Sequence, residues 1–343
     1  VEPLDLYVTS PGTTVRIRDG LLRVETGEVV ESFPPRRVRS MVLGAPSKIT
    51  TDALRAAVLN DVDIVVLDRR GQPLGRFWAA SPGGAASLRR LQLEAATGPR
   101  GEDLARGLVL AKLAGQREHL ADLKRRRKKP PPELAQGVEA ARRAEQRVGA
   151  TQGPLSTLTA SLRGIEGTSA RAYFAGLASV VPARWRFQGR SRRPALDAFN
   201  ALLNYAYGVL YGKVERAVVL AGLDPYLGIL HADAYGQRTL VYDLIEPVRV
   251  EADRVVLALF TRKQIKDSHV EDDGEGVRLS RIGKGLLLDA LARRFEGRVE
   301  VEGRKVRRSD ALLLRAHAFS RALRGDDGQL EEAPGEGPEA STC

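Results

Sequence analysis

A chain of 343 residues with 43% apolar content can build two domains with real hydrophobic cores, which excludes a polypeptide disordered throughout. No run approaches the roughly 18 to 20 apolar residues needed to span a bilayer, and Val1-Glu2-Pro3-Leu4-Asp5 has no signal-peptide pattern, so a cytoplasmic protein with no membrane partner is expected. The formal charge is +11, yet Asp326, Asp327, Glu331, Glu332, Glu336 and Glu339 lie in a last segment without Lys or Arg; setting aside that −6 leaves +17 on residues 1–324, a field suited to nucleic acid.

Up to Trp78 the chain reads as short strands broken by turn signals: Leu4 to Val8, Thr14 to Arg18, Leu21 to Val24, Val29 to Phe33 and Val38 to Leu43. Asp19-Gly20 suits a tight hairpin. A helix is predicted from Thr51 to Asn60 on the spacing of Ala53, Leu54, Ala57 and Val58, and strands Ile64 to Leu67 and Leu74 to Trp78 flank a turn at Arg69-Arg70-Gly71. Beyond the linker signal Ser81-Pro82-Gly83-Gly84-Ala85 the spacing becomes helical over Leu104 to Leu123, Pro154 to Val180, Leu196 to Leu223 and Leu240 to Phe260. The expected class is α+β: a β-rich domain over residues 1–80, a linker over 81–87, a larger all-α domain over 88–324, and an acidic, disordered tail over 325–343.

Candidate chemistry sits in the middle of the chain. Glu166 falls beside the apolar stripe of Leu158, Leu162, Ala170 and Tyr173, and a partly buried carboxylate needs a cation or hydrogen bonds. Asp243 and Glu246 are three residues apart, on one face of the predicted helix, among Val241, Leu244 and Ile245. His231 follows a turn at Pro225 and Gly228 that can aim one imidazole into a cleft. Such a set holds a divalent metal beside a phosphodiester, and carboxylates with one His and no nearby Cys favour Mg²⁺ or Mn²⁺ over zinc. Taken singly each residue has a plainer reading: Glu166 paired with Arg163 or Arg171, His231 a satisfied core histidine, Asp243 an acid at a helix start.

Considered together, the motifs resemble the CRISPR-associated integrase of spacer acquisition, also described as a CRISPR-associated endonuclease. The similarity runs through Thr9-Ser10-Pro11-Gly12-Thr13, Ile49-Thr50-Thr51-Asp52-Ala53-Leu54 and Gly71-Gln72-Pro73-Leu74-Gly75-Arg76. It continues in Gly164-Ile165-Glu166-Gly167, Asn204-Tyr205-Ala206-Tyr207, Ala221 to His231 and Asp243-Leu244-Ile245-Glu246-Pro247. The resemblance implies a β-domain that dimerises and a helical domain that carries a metal-dependent DNA endonuclease and integrase. Glu166, His231 and Glu246 would be its metal ligands, and Asp243 a nearby catalytic acid that supports the site. It implies insertion of short DNA fragments into a repeat array by attack of a 3′-hydroxyl on a phosphodiester, a homodimer, and assembly with a small second CRISPR adaptation protein. Val248 departs from the pattern, which often has an aromatic there. The rival reading is a non-catalytic basic DNA-binding scaffold whose acids form internal salt bridges.

For double-stranded, branched or splayed DNA, the segment from Trp185 to Pro194 interleaves aromatics with Arg190, Arg192 and Arg193 as phosphate contacts. Of the tyrosines, Tyr173 is expected to face the cleft, with Tyr205 and Tyr207 in the helix core. The run Lys124 to Lys129 offers non-specific DNA contact. His119, His269 and His317 are expected to be structural or exposed, and Gly283-Lys284-Gly285 lacks the spacing of a phosphate loop.

Overall fold

A computed structural model describes residues 4–60, 62–67, 73–77, 85–192, 194–232, 234–272, 274–301 and 303–325. A strand-rich N-terminal region comes first: β1 (Leu4–Val8), β2 (Thr14–Arg18), β3 (Leu21–Thr26), β4 (Val29–Phe33), β5 (Val38–Leu43), β6 (Lys48–Ile49), α1 (Thr51–Leu59), β7 (Asp63–Leu67) and β8 (Pro73–Phe77). The positive φ of Asp19 and Gly20, 52° and 74°, is what a two-residue turn joining right-twisted strands requires, and it sets Arg18 opposite Leu21. One sheet runs β4-β3-β2-β6 and the other β1-β5-β7-β8, with β1, β5 and β7 parallel. Parallel neighbours need a crossover, and α1 supplies it between β5 and β7, its start capped by the Thr50 hydroxyl accepting from the Ala53 N–H. Val15, Leu22, Met41, Ala53, Ala57 and Ile64 close this region's own core.

The helical domain follows: α2 (Ala85–Ala95), α3 (Pro99–Arg125), α4 (Pro132–Ala150), α5 (Leu155–Ala178), α6 (Ala198–Leu220), α7 (Thr239–Ile245), α8 (Arg249–Thr261), α9 (Arg281–Glu296) and α10 (Arg308–Arg324). Helix α3 packs on α4 and α5, and α6 on α8, around a second core that includes Leu113, Leu120, Leu162, Phe199, Leu202 and Phe260. Charged contacts from α6 reach the strand-rich region: the Lys213 ammonium lies 2.7 Å from Asp5 Oδ2, and Arg216 lies 3.8 Å from Asp63 Oδ2.

Three expectations need correction. The single helix from Leu240 to Phe260 is broken, because Pro247 has no N–H to donate; α7 stops at Ile245, Glu246–Val248 forms a 3₁₀ turn, and α8 starts anew. The helical domain is not purely α, since the hairpins β9 (Val270–Asp272) with β10 (Val277–Leu279) and β11 (Arg298–Val301) with β12 (Arg304–Arg307) flank α9. Helices α2, α4, α9 and α10 lie outside the four predicted spans; α4 is started by the proline run, with Pro132 at its first position. The linker residues 81–84, the turn Arg69-Arg70-Gly71 and the acidic tail from Asp326 lie outside the described residues.

Candidate active site

The site is assembled from α3, α5 and the turn after α7. On α3, Ala105, Leu108, Val109, Leu113 and Leu120 face the core, and Lys112 sits in that same stripe, 7% exposed. On α5, Glu166 follows buried Ile165 and keeps a partly exposed carboxylate. Glu246 heads the 3₁₀ turn and is buried. The Lys112 ammonium donates to Glu166 Oε1 and to Glu246 Oε2, so two acids far apart in the chain converge on one positive charge. Arg249 Nη1 lies 2.7 Å from the other Glu246 oxygen. Burial pushes the Glu246 carboxyl pKa up, but Arg249 and Lys112, with a contribution from His231, outweigh it and hold the group below the usual carboxylate range. Neither Arg163 nor Arg171 is the partner of Glu166: they donate to the Thr159 carbonyl and the Thr168 hydroxyl.

Asp243 does not share a partner with Glu246. It is fully buried and accepts from the backbone N–H groups of Ile229 and Leu230, at 2.6 and 3.0 Å, and of His231, at 3.0 Å. Its Oδ1 also lies 2.6 Å from His231 Nδ1. The Asp243 oxygen is an acceptor, so His231 Nδ1 is the donor of this contact and Nε2 is the ring nitrogen left facing away from Asp243. The loop is pinned again where the Gly228 N–H donates to Thr239 Oγ1 at 3.0 Å. A Cβ on Gly228 would stand 2.7 Å from the Thr239 Cβ, so the close approach demands glycine. Among the described residues, no group of three or more His, Cys, Asp or Glu side chains is gathered to hold an ion; the two glutamates meet on Lys112, and His231 belongs to Asp243.

Tyr173 does not face the cleft. It is 1% exposed, donates to Asp253 Oδ2 at 2.8 Å and accepts from His119 Nδ1 at 2.8 Å, because burying its hydroxyl requires partners. Tyr207 donates to the other Asp253 oxygen at 2.5 Å, and it is Tyr207 and Tyr205, expected in the core, that line the cleft. Burial raises the Asp253 carboxyl pKa, and the hydroxyls of Tyr207 and Tyr173 pull the other way. Arg190 is also spent internally. It donates to Asn200 Oδ1 at 2.9 Å and Asn204 Oδ1 at 2.7 Å and lies over the Tyr207 ring, holding its own loop instead of offering a free fork to phosphate. Arg192 is exposed on the cleft wall, and Arg193 lies outside the described residues.

The cleft measures about 1470 Å³ and is bounded by Lys112, Glu166, Arg171, Arg192, Arg249 and Lys284 among others. A Cβ on Gly164 or Gly167 would meet nothing within 4 Å, so packing does not require these glycines; they leave the α5 surface beside Glu166 bare. Sequence reasoning missed Lys112 and Asp253. The signal for Lys112 was present, a lysine four residues after Leu108 and flanked on its stripe by Ala105, Val109 and Leu113, where an unpaired ammonium would be costly.

A family model described as "CRISPR associated protein Cas1" matches residues 6–293. The chain is 35% identical over 337 residues to a CRISPR-associated endonuclease Cas1 of Archaeoglobus fulgidus, covering 94% of this chain and 96% of the relative. In fold it resembles a casposase bound to integration product, with a TM-score of 0.80, 21% identity and 96% and 93% of the two chains covered. A chain of a Cas6-RT-Cas1–Cas2 complex aligns with a TM-score of 0.76 and 21% identity, over 94% of this chain and 35% of that one. A match through both the strand-rich region and most of the helical domain places this chain in the Cas1 family, the endonuclease and integrase family of CRISPR adaptation.

Proposed function

We propose that this chain is a metal-dependent DNA endonuclease and integrase that inserts short DNA fragments into a repeat array, with Glu166, His231 and Glu246 holding Mg²⁺ or Mn²⁺. The observation that carries this reading is the convergence of Glu166 and Glu246 on a single cation position at the wall of a large cleft. The donor chemistry fits: two carboxylates already oriented towards a positive charge, and an imidazole whose Nδ1 is committed to Asp243 so that Nε2 can ligate. When bound, the ion polarises the phosphate and stabilises the attacking and leaving oxygens of a transesterification.

The remaining work belongs to the chain. Asp243 orients His231 by filling its Nδ1 and fastening the loop backbone. Arg249 keeps Glu246 ionised, and Arg171, Arg192 and Arg278 present exposed guanidinium groups along the cleft for phosphates to approach. A homodimer built on the strand-rich region, and a small second adaptation protein as partner, complete the reading; the fold likeness to the Cas1-containing complex supports the second.

A non-catalytic DNA-binding scaffold is the alternative, and one observation favours it: Glu166 and Glu246 are satisfied by Lys112 as an internal salt bridge. Strand transfer into branched or repeat-containing DNA with Mn²⁺, Mg²⁺ or EDTA separates the two. Turnover that requires the ion and disappears in Glu166→Ala supports the enzyme. DNA binding without turnover under any ion supports the scaffold.

A further inference from the structure

We propose that Lys112 is a displaceable counter-ion of the acidic pair: its ammonium holds Glu166 and Glu246 together in the ion-free protein and must release those oxygens when a divalent ion binds. The inference rests on the reading of Glu166 and Glu246 as ligands. Its ground is competition for the same atoms. Lys112 donates to Glu166 Oε1 and Glu246 Oε2, and Arg249 occupies the remaining Glu246 oxygen, so the two negative charges are already matched by two positive ones. Adding a doubly charged ion on these oxygens places it beside the ammonium of a lysine that is 7% exposed, where little water screens the repulsion.

Of the two cations, Lys112 is the one built to move. Arg249 is a planar fork stacked 5.4 Å from the Tyr207 ring centroid. Lys112 is a point charge on a flexible four-carbon stem at the wall of the cleft, where a retracting ammonium meets the space that a DNA phosphate would enter. The same displacement therefore couples the two ligands. DNA gives the released ammonium an anionic partner, so ion affinity rises when DNA is bound, and by linkage DNA affinity rises with the ion. An enzyme so arranged holds its ion weakly until a polyanion is in place.

The test is Mn²⁺ binding by the full chain without DNA, followed by calorimetry or by the electron paramagnetic resonance of free Mn²⁺, with circular dichroism of each variant. Lys112→Met should bind Mn²⁺ about tenfold tighter than wild type, and branched DNA should enhance Mn²⁺ affinity less in it than in wild type. Lys112→Arg keeps a cation on the carboxylates in a fork that is harder to displace, and should bind Mn²⁺ more weakly. This second variant decides the matter if Lys112→Met loses its ion-free fold. Equal or weaker binding by folded Lys112→Met, or tighter binding by Lys112→Arg, overturns the inference. Glu166→Gln tells its failure from failure of the underlying reading. If Glu166→Gln weakens Mn²⁺ binding but Lys112→Met does not tighten it, the ligand assignment stands and the counter-ion role falls. If Glu166→Gln binds like wild type, both fall.

Discussion

Among the acidic centres in the described part of the helical domain, two are neutralised in opposite ways. Glu166 and Glu246 are matched by cations, Lys112 and Arg249, at the wall of an open cleft. Asp253 is matched by neutral hydroxyls, those of Tyr173 and Tyr207, with His119 behind Tyr173. Tyr207 and Asp253 line the same cleft, so the difference lies in the partners: one cation can be exchanged for another, whereas the hydroxyls are fixed to side chains of the packed helices α5 and α6. The contrast separates a centre suited to ligand exchange from one that ties four helices together, although both look like buried acids with partners.

The largest effect that would test this contrast is on catalysis. Glu166→Ala, His231→Ala and Glu246→Ala should each lower strand transfer by about 10³-fold or more while leaving most DNA affinity in place, measured by gel-resolved transfer and by binding in parallel. A wild-type rate in any one removes that residue from the site. Asp243→Ala should cost roughly 10 to 100-fold through misorientation of His231. Because it also strands the N–H groups of Ile229, Leu230 and His231, it should lower the melting temperature as well.

The hydroxyl-held centre should respond in stability and not in ion binding. Tyr173→Phe and Tyr207→Phe each leave one Asp253 oxygen without its donor, for a loss of about 1 to 3 kcal/mol in urea denaturation. Mn²⁺ affinity unchanged within about twofold would uphold the distinction, and a large change would merge the two centres into one functional unit. pH gives a smaller effect. Burial first, then Arg254 and other arginines, hold the His119 pKa well below its ordinary value of 6.5. The unfolded chain therefore takes up the proton first, so the contribution is present above about pH 6.5 and is lost as pH falls below it, at up to about 1.4 kcal/mol per pH unit. Comparing wild type with His119→Gln between about pH 7 and 5.5 should show the flatter slope in the variant. Smallest of all, Arg192→Ala should reduce the slope of log DNA affinity against log salt by about 0.9, while Arg190→Ala should mainly loosen the Asn200 and Asn204 contacts and lower stability.

Much of the fold could be read directly because its signals are local. Strands β1, β2, β4 and β5 match their predicted ends, and the Asp19-Gly20 turn forms where two positive φ values are needed. The ion-pair lysine was not legible in that way. Lys112 and Glu166 are 54 residues apart and Lys112 and Glu246 are 134 apart, and nothing in either neighbourhood names the other. Tyr173 illustrates the opposite error: an aromatic next to a candidate acid suggests a cleft residue, but helical periodicity sets it on the buried face with Ile165 and Ser169, where it serves Asp253.

What the sequence determined by itself was the order of most strand-rich elements, the basic body, and the motifs that carry the family likeness, since these depend on residue type and short-range spacing. Only tertiary structure decided which acid meets which partner. Asp243 and Glu246 are three residues apart, yet the break at Pro247 and the packing of α3 send one to the His231 loop and the other to Lys112. Burial is the reason: a charged group taken out of water must find its counter-charge or hydrogen bonds, and which ones are within reach is a property of packed helices, not of neighbours in the chain.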